Sequence, residues 1–243
     1  MTTHSPTDRR LPDLLAALHG GIVVSCQAQP GNPLHGPDLM AVMARAAELG
    51  GARGIRANGA EDVAAIRRAT DLPVMGIVKR DYPDSAVYIT PTVTEVREVA
   101  RAGAQIVALD GTRRPRPNGV TLAQCVAAAH AEGALAFADL ATTDDLRGAI
   151  DAGIDAVGTT LSGYTAESTP SVTPDFDLLH WLVRHSPVPI YAEGRLWTPD
   201  EAREALTLGA SFVVIGTAIT NPMAITSRFV AGIATTSEGA SLS

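Results

Sequence analysis

Short apolar runs recur eight times along the chain, each leading into a polar residue or a glycine. They are 21-GIVVS-25 before Gln27, 53-RGI-55 before Arg56, 73-PVMGIV-78 before Lys79 and 105-QIVAL-109 before Asp110. The later ones are 135-LAFA-138 before Asp139, 155-DAVG-158 before Thr159, 188-VPIYA-192 before Glu193 and 211-SFVVI-215 before Gly216. Ala-rich stretches with helical spacing lie between them. Near-continuous apolar runs mark strands buried on both faces. Eight of them alternating with helices predict a (β/α)₈ TIM barrel with every strand parallel. The polar residues that end the runs then converge at one mouth, where such barrels carry their chemistry.

A weak repeat of helix, glycine and strand supports the same architecture. It reads 46-AAELGGARGI-55, 100-ARAGAQIVAL-109, 149-AIDAGIDAVG-158 and 205-ALTLGASFVVI-215. The glycines fit helix C-caps in a left-handed conformation. The unit is the size of one βα element, so a single domain is expected over residues 11–233, with loose tails at 1–10 and 234–243. Three connections are long and rich in Pro, Gly and Ser: 27–37, 80–91 and 161–174. Loops of that length in a compact domain are often functional. Within the second, 86-AVYIT-90 is apolar enough to form one extra short strand.

The chain has 243 residues, 46% of them hydrophobic and 19% charged, which suits one barrel of about 250 residues. Aromatics make up only 4%, so the core must be built from Ala, Val, Ile and Leu. A net charge of −7 without a basic stripe argues against nucleic acid as a partner. The short run Arg113-Arg114-Pro115-Arg116 reads as a solvated loop near an anionic ligand. The polar N-terminus has no signal-peptide core, and no run is long enough to span a membrane. Cys26 and Cys125 match neither a disulfide framework nor a zinc spacing, so a cytoplasmic setting is expected. Cys26 near the mouth is either a nucleophile or a packed thiol; no histidine beside it in sequence supports the former.

Lys79 ends an apolar strand, where partial desolvation lowers an ammonium pKa and allows it to act as base or nucleophile. The bland alternative is a lysine that reaches out to solvent. Glu193 can give or take a proton if barrel walls raise its pKa, or it merely pairs with Lys79 or Arg56. Asp139 and Asp110 either orient a hydroxyl or cap the helix that follows. Gly194-Arg195 and Gly216-Thr217 follow strands seven and eight, where such barrels often hold phosphate through backbone N–H groups. None of the six histidines ends a strand, so no metal site is expected. No dinucleotide fingerprint or P-loop is present. The residues alone point to cofactor-free chemistry on a phosphorylated small molecule.

The segments 23-VVSCQ-27, 55-IRANG-59, 76-GIVKRD-81, 108-ALDGT-112 with 115-PRPNG-119, 158-GTTLSGYT-165 and 192-AEGR-195 closely resemble the N-acetylmannosamine-6-phosphate 2-epimerase family. The match runs in order over roughly residues 14–230. The resemblance implies a TIM barrel, often a homodimer, that interconverts N-acetylmannosamine 6-phosphate and N-acetylglucosamine 6-phosphate in bacterial sialic-acid breakdown. It further implies Lys79 as catalytic lysine and Glu193 as catalytic carboxylate. By the same resemblance Gln27, Arg56 and Asp139 contact the sugar, and Gly194, Arg195, Gly216 and Thr217 form the phosphate end. One departure stands out. Family members usually read A-I-T-R after the last glycine, whereas this chain has 218-AITN-221, so Asn221 lacks the guanidinium that would pair with phosphate. Asp139 is followed by Leu-Ala-Thr rather than the usual Ile-Ser-Thr or Cys-Ser-Thr, a milder change.

Epimerisation at C2 requires an open ring, because the C2 hydrogen is acidic only beside a C1 carbonyl. On this reading neutral Lys79 is expected to remove the proton, with Glu193 assisting ring opening or proton exchange, and Arg56, Gln27 and Asp139 positioning the sugar. Glu193, Asp139, or Lys79 acting through a substrate hydroxyl are the candidates for reprotonating the opposite face. The alternatives are a Schiff-base aldolase with Lys79 as nucleophile and a non-catalytic sugar-phosphate-binding barrel.

Overall fold

The structure, a computed structural model, describes residues 6–238. Its eight strands are β1 (Ile22–Cys26), β2 (Gly54–Asn58), β3 (Val74–Ile77), β4 (Ile106–Asp110), β5 (Leu135–Asp139), β6 (Ala156–Gly158), β7 (Ile190–Glu193) and β8 (Phe212–Ile215). They pair in chain order, all parallel, into a closed barrel. Pairing of β8 with β1, Val214 opposite Val23, removes the last open edge. This is the predicted (β/α)₈ TIM barrel.

Helices precede, separate and follow the strands: α1 (Pro6–Leu18), α2 (Pro37–Leu49), α3 (Ala60–Ala69), α4 (Val93–Arg101) and α5 (Leu122–Ala131). The rest are α6 (Asp145–Asp151), α7 (Phe176–His185), α8 (Pro199–Thr207), the single turn α9 (Thr217–Thr220) and α10 (Pro222–Glu238). Capping boxes start α4, α5 and α8, where a threonine and a Glu or Gln three residues on satisfy each other's backbone N–H. Gly51, Gly103, Gly153 and Gly209 follow their helices with positive φ, as the helix–glycine–strand repeat predicts.

Two-residue alternation along each strand divides the core into two shells. Ile55 and Ala57 of β2, Val107 and Leu109 of β4, and Ala136 and Ala138 of β5 face outward to the helices. The inner shell holds Val23, Met75, Ile77, Ile106, Leu135 and Phe137, joined by Tyr191, Phe212 and Val214. Leu11, Leu14, Leu15 and Leu18 of α1 pack against this inner cluster. Three rings form its centre: Tyr191 stacks on Phe212 at 5.3 Å and on Phe137 at 5.8 Å between centroids. Three of the chain's ten aromatic residues thus form the centre of the barrel, beneath its polar mouth.

Several expectations need correction. β2 runs on to Asn58, so Arg56 sits in mid-strand and is 1% exposed, where the sequence places it after the strand end. The segment 86–90 is not a barrel strand. It folds back on the end of β3, with Arg80 N–H donating to Tyr88 O at 2.9 Å and Thr90 N–H to Val78 O at 2.7 Å. Ile89 O then accepts from Asp110 N–H at 3.1 Å, so this hairpin occupies the upper gap between β3 and β4. Helix extends into both regions expected as loose tails, from Pro6 and to Glu238. Residues 1–5 and 239–243 of those tails lie outside the described residues.

Gly158 is required by the inner shell. A Cβ there would lie 2.1 Å from the Tyr191 ring, so only glycine lets that ring occupy the barrel centre. Gly158→Ala should destabilise the protein by about 1–3 kcal/mol through overpacking. Thermal melting should show a drop of about 2–4 °C per kcal/mol. An unchanged melting temperature would mean that Tyr191 moves aside at no cost.

Candidate active site

The alternation that fills the inner shell with apolar groups below delivers polar groups above. One step beyond Ile77 comes Lys79's side of β3, and one step beyond Phe137 comes Asp139. Tyr191 is followed by Glu193 in the same way. Backbone contacts from neighbouring strands fix both proposed catalytic residues. The Lys79 N–H donates to Asn58 Oδ1 at 2.7 Å, tying the end of β3 to the end of β2. Thr159 clamps Glu193: its hydroxyl donates to Glu193 O at 2.9 Å and accepts from Glu193 N–H at 3.2 Å.

Arg56 connects these strands through their side chains. Its Nη2 donates to Asp139 Oδ2 at 2.6 Å and its Nη1 to Asp139 Oδ1 at 3.2 Å, while Nη1 also pairs with Glu193 Oε2. The Tyr191 hydroxyl donates to Asp139 Oδ1 at 2.7 Å. The Thr160 hydroxyl lies 2.6 Å from Asp139 Oδ1 and 3.1 Å from Glu193 Oε2. Burial disfavours the Arg56 charge, but Asp139 and Glu193 outweigh it and its pKa is raised. Glu193 is pushed up to about 7, by burial first and by the Asp139 charge, against the attraction of Arg56. Its side chain retains 15% exposure, towards the pocket. Burial, together with Arg56, lowers the Lys79 pKa, with Glu193 and Asp139 opposing. Lys79 remains open to solvent at the mouth, so screening keeps that shift smaller than a fully buried lysine would show. The arrangement provides an ammonium that deprotonates more readily than usual and a carboxyl that holds its proton near neutrality.

These groups face a cavity of about 360 Å³, the size of a small-molecule site. Gln27, Arg56, Lys79 and Glu193 line it, as do Gly194, Arg195, Gly216 and Thr217 at its other end. The sequence therefore places eight of its nine site residues at one pocket. Asp139, the ninth, is fully buried and does not line the cavity; it is hydrogen-bonded to Arg56, Tyr191 and Thr160. Arg195 contributes differently from expectation. Its guanidinium donates to Ser162 O and Thr173 O, both at 2.6 Å, and lies 5.0 Å over the Tyr164 ring. It thereby secures the β6–α7 loop against the pocket. Asn221 also lines the cavity, and its Oδ1 accepts from Ala224 N–H at 3.1 Å in the first turn of α10.

Other candidates have structural roles. Asp110 is fully buried and accepts from Thr112 N–H at 2.9 Å and from Arg114 Nη2 at 2.6 Å, so it holds its own loop. Arg116 is buried and donates to the backbone carbonyls of Thr90, Pro91 and Asp110. Arg114 and Arg116 thus brace this loop, while Arg113 is exposed as expected and pairs with Asp144. Cys26 is buried with its thiol pushed up to about 12 by burial and by Asp62, which fits a packed thiol. Among the described residues no group of three His, Cys, Asp or Glu is placed to hold a metal ion. Thr160, Tyr191 and Asn58 are neighbours of these residues that the sequence reading did not single out, and Thr159, which it placed at the end of a run, was given no role there. The strand-period signal was present for two of them: Thr160 is two residues beyond Gly158, and Tyr191 two before Glu193.

Residues 40–235 match the family described as "Putative N-acetylmannosamine-6-phosphate epimerase". A relative from Caldanaerobacter subterraneus subsp. tengcongensis, named "Putative N-acetylmannosamine-6-phosphate 2-epimerase", is 48% identical over 220 residues, covering 90% of this chain and 93% of its own. One of the same name from Clostridium perfringens is 47% identical over 216 residues, covering 89% and 98%. The solved structure of the N-acetylmannosamine-6-phosphate 2-epimerase from Clostridium perfringens superimposes with a TM-score of 0.88 at 46% identity, over 90% of this chain and 95% of that one. The chain belongs to the N-acetylmannosamine-6-phosphate 2-epimerase family.

Proposed function

We propose that this chain interconverts N-acetylmannosamine 6-phosphate and N-acetylglucosamine 6-phosphate by removing the C2 proton and returning it on the opposite face. The observation that carries the reading is one pocket, in a member of this family, that presents Lys79 and Glu193 with opposed pKa shifts. With the ring open, C1 is a carbonyl. Neutral Lys79 takes the C2 proton, and the electron pair moves onto O1 as an enolate. Glu193, protonated near neutrality, donates to the developing oxygen charge or to the ring oxygen during opening. Gln27 and Arg56 orient the sugar, and Asp139 fixes Arg56. Family membership favours this reading over a Schiff-base aldolase or a non-catalytic binder. The phosphate is assigned to the backbone of Gly194, Arg195, Gly216 and Thr217. No step calls for a metal or an organic cofactor.

A cytoplasmic enzyme acting as a homodimer completes the proposal. Two free cysteines support the compartment. Exposed Met223, Phe229 and Val230 on α10 support self-association, since contiguous apolar surface marks interaction sites. Light scattering should give a dimer mass, and Phe229→Glu should shift it towards monomer. A monomeric parent protein would refute the assembly.

Running the reaction in D₂O should place deuterium at C2 of the product, read by proton NMR. Lys79→Met should slow turnover at least about 10²-fold, with binding of the sugar phosphate retained. Glu193→Gln should be similarly impaired. A Lys79→Met variant that keeps more than about a tenth of the activity would move the base elsewhere.

At the phosphate end, Asn221→Arg combines two effects. Loss of the α10 cap should cost about 1 kcal/mol, a fall of about 2–4 °C in melting temperature. The added guanidinium should lower KM for the phosphorylated sugar and leave the free sugar unchanged. Free N-acetylmannosamine should be worse in kcat/KM by roughly a few hundredfold, the worth of several charge-assisted hydrogen bonds less the desolvation of the dianion. Equal rates for the two sugars would show that the anion binds elsewhere.

A further inference from the structure

Proton transfer and phosphate binding leave the Tyr88 hydroxyl without a role. Tyr88 lies on the β3–α4 connection, in the segment that folds back on the end of β3. Ile89 is the antiparallel partner of Lys79 there, and Arg80 N–H donates to Tyr88 O at 2.9 Å. Lys79, Tyr88 and Ile89 together form one wall of the cavity. The Tyr88 ring packs against the inner apolar shell, yet its hydroxyl has no hydrogen-bond partner among the described residues.

Four charged groups surround that hydroxyl: Asp139 and Arg56 from the pocket floor, Asp110 and Arg114 from the β4 side. Both carboxylates are already served. Asp139 accepts from Arg56, Tyr191 and Thr160, and Asp110 from Thr112 and Arg114. Burial first, then the two carboxylates, raise the phenol pKa, so near neutrality the group is an uncharged donor.

The backbone that carries Tyr88 is held in a strained form. Thr90 is fully buried, and its φ of 45° lies in the left-handed region that β-branched residues rarely adopt. Its N–H donates to Val78 O and its hydroxyl to Ala108 O, both at 2.7 Å. Its Oγ1 accepts from Val78 N–H at 3.2 Å, and its carbonyl from Arg116 Nη1 at 3.3 Å. Strain held by so many contacts is characteristic of functional sites. Here it locks the hairpin between β3 and β4 and fixes Tyr88 beside Lys79.

Position across the pocket decides what the hydroxyl meets. In a closed barrel of eight strands in chain order, β3 and β4 stand opposite β7 and β8. A hexose with its 6-phosphate at the β7 and β8 turns extends C1 and C2 towards β3, where Lys79 stands. The substituent on C2 is then the part of the sugar next to this wall. An acetamido group brings a carbonyl that needs a donor and a methyl that needs an apolar surface. Tyr88 and Ile89 supply one each. We propose that Tyr88 is a specificity-determining residue for the C2 substituent, its hydroxyl donating a hydrogen bond to the acetamido carbonyl oxygen. The assignment deepens the epimerase reading and rests on it, and on its phosphate end, for the orientation of the sugar.

Lys79→Met protein, which should bind without turnover, allows a binding test with and without Tyr88→Phe. Calorimetry gives Kd for N-acetylglucosamine 6-phosphate, and competition gives it for glucose 6-phosphate, which has a hydroxyl at C2. Tyr88→Phe should weaken the N-acetyl sugar roughly fivefold, the worth of one neutral hydrogen bond, and glucose 6-phosphate less than about twofold. With Lys79 intact, kcat/KM should fall by the same factor as the N-acetyl affinity. The melting temperature of Tyr88→Phe should match that of the parent, because the hydroxyl bonds nothing in the protein. Equal losses for both ligands would place the hydroxyl on another part of the sugar, and no loss would place it on none. Either result overturns the proposal, and so does a lowered melting temperature, which would show the hydroxyl engaged within the protein. Absence of N-acetylglucosamine 6-phosphate binding before Tyr88 is changed would instead refute the epimerase reading, and this assignment with it.

Discussion

The site depends on one guanidinium placed inside the barrel. Arg56 is 1% exposed, and a charge so buried is tolerable only with partners at hydrogen-bonding distance. Asp139 on β5 and Glu193 on β7 supply them, so a residue of β2 ties together strands on the far side of the barrel. Among the described residues the Arg56 Nε finds no partner, which leaves the fork of Nη1 and Nη2 as its compensation. Without both carboxylates the Arg56 charge would be unbalanced in a low-dielectric interior. Keeping both creates the opposite imbalance, two potential anions for one cation. Asp139, with two Arg56 nitrogens and two hydroxyls around it, takes the charge. Glu193, with fewer donors and a face towards the pocket, is the one whose proton is retained to about 7.

Beneath this network the stacked rings act as a floor. Tyr191 belongs to both layers, since its ring packs on Phe137 and Phe212 while its hydroxyl reaches Asp139. Packing of apolar groups at the density of a protein interior allows little lateral adjustment. The position of the carboxylate is thereby coupled to the packing of the core, and ultimately to the missing side chain at Gly158. Preorganisation of this kind matters for proton transfer, where donor and acceptor must already stand at the right distance when the ring opens.

The fold was legible because buried parallel strands write themselves as apolar runs, and eight of them leave little choice of architecture. Lys79, Glu193, Gln27 and the glycines after β7 and β8 were legible for the same reason: each follows a run. Arg56 was identified but misplaced, because an arginine ends an apolar pattern in sequence even where a pair of carboxylates lets the strand continue through it. Asp139 and Asp110 end adjacent, similarly patterned runs and cannot be told apart by pattern. Only the partners distinguish them, Arg56 for one and Arg114 for the other. Thr160 was hidden by counting to the first polar residue. The strand period directs Thr159 to the neighbouring backbone and Thr160 to the barrel interior.

The other end of the pocket shows how far residue type alone can mislead. Arg195 carries the formal charge that an anion site calls for, yet its guanidinium is committed to Ser162 O and Thr173 O and to the Tyr164 ring. Its φ of 59° reflects a tight turn after β7 at the edge of the cavity. Asn221, at the position where the sequence reading expects an arginine, has its side chain engaged in capping α10. If a phosphate is bound here, its recognition falls to N–H groups at Gly194, Gly216 and their neighbours. Such donors are fixed in direction by the barrel and carry no full charge. They favour a correctly placed dianion through geometry more than through long-range attraction, which suits an acidic chain with a net charge of −7. Selectivity for the phosphorylated sugar would then be set by the closing turns of β7 and β8, and the tie from Thr220 Oγ1 to Ser25 O at 2.7 Å, which anchors α9 to β1, is part of what holds those turns in register.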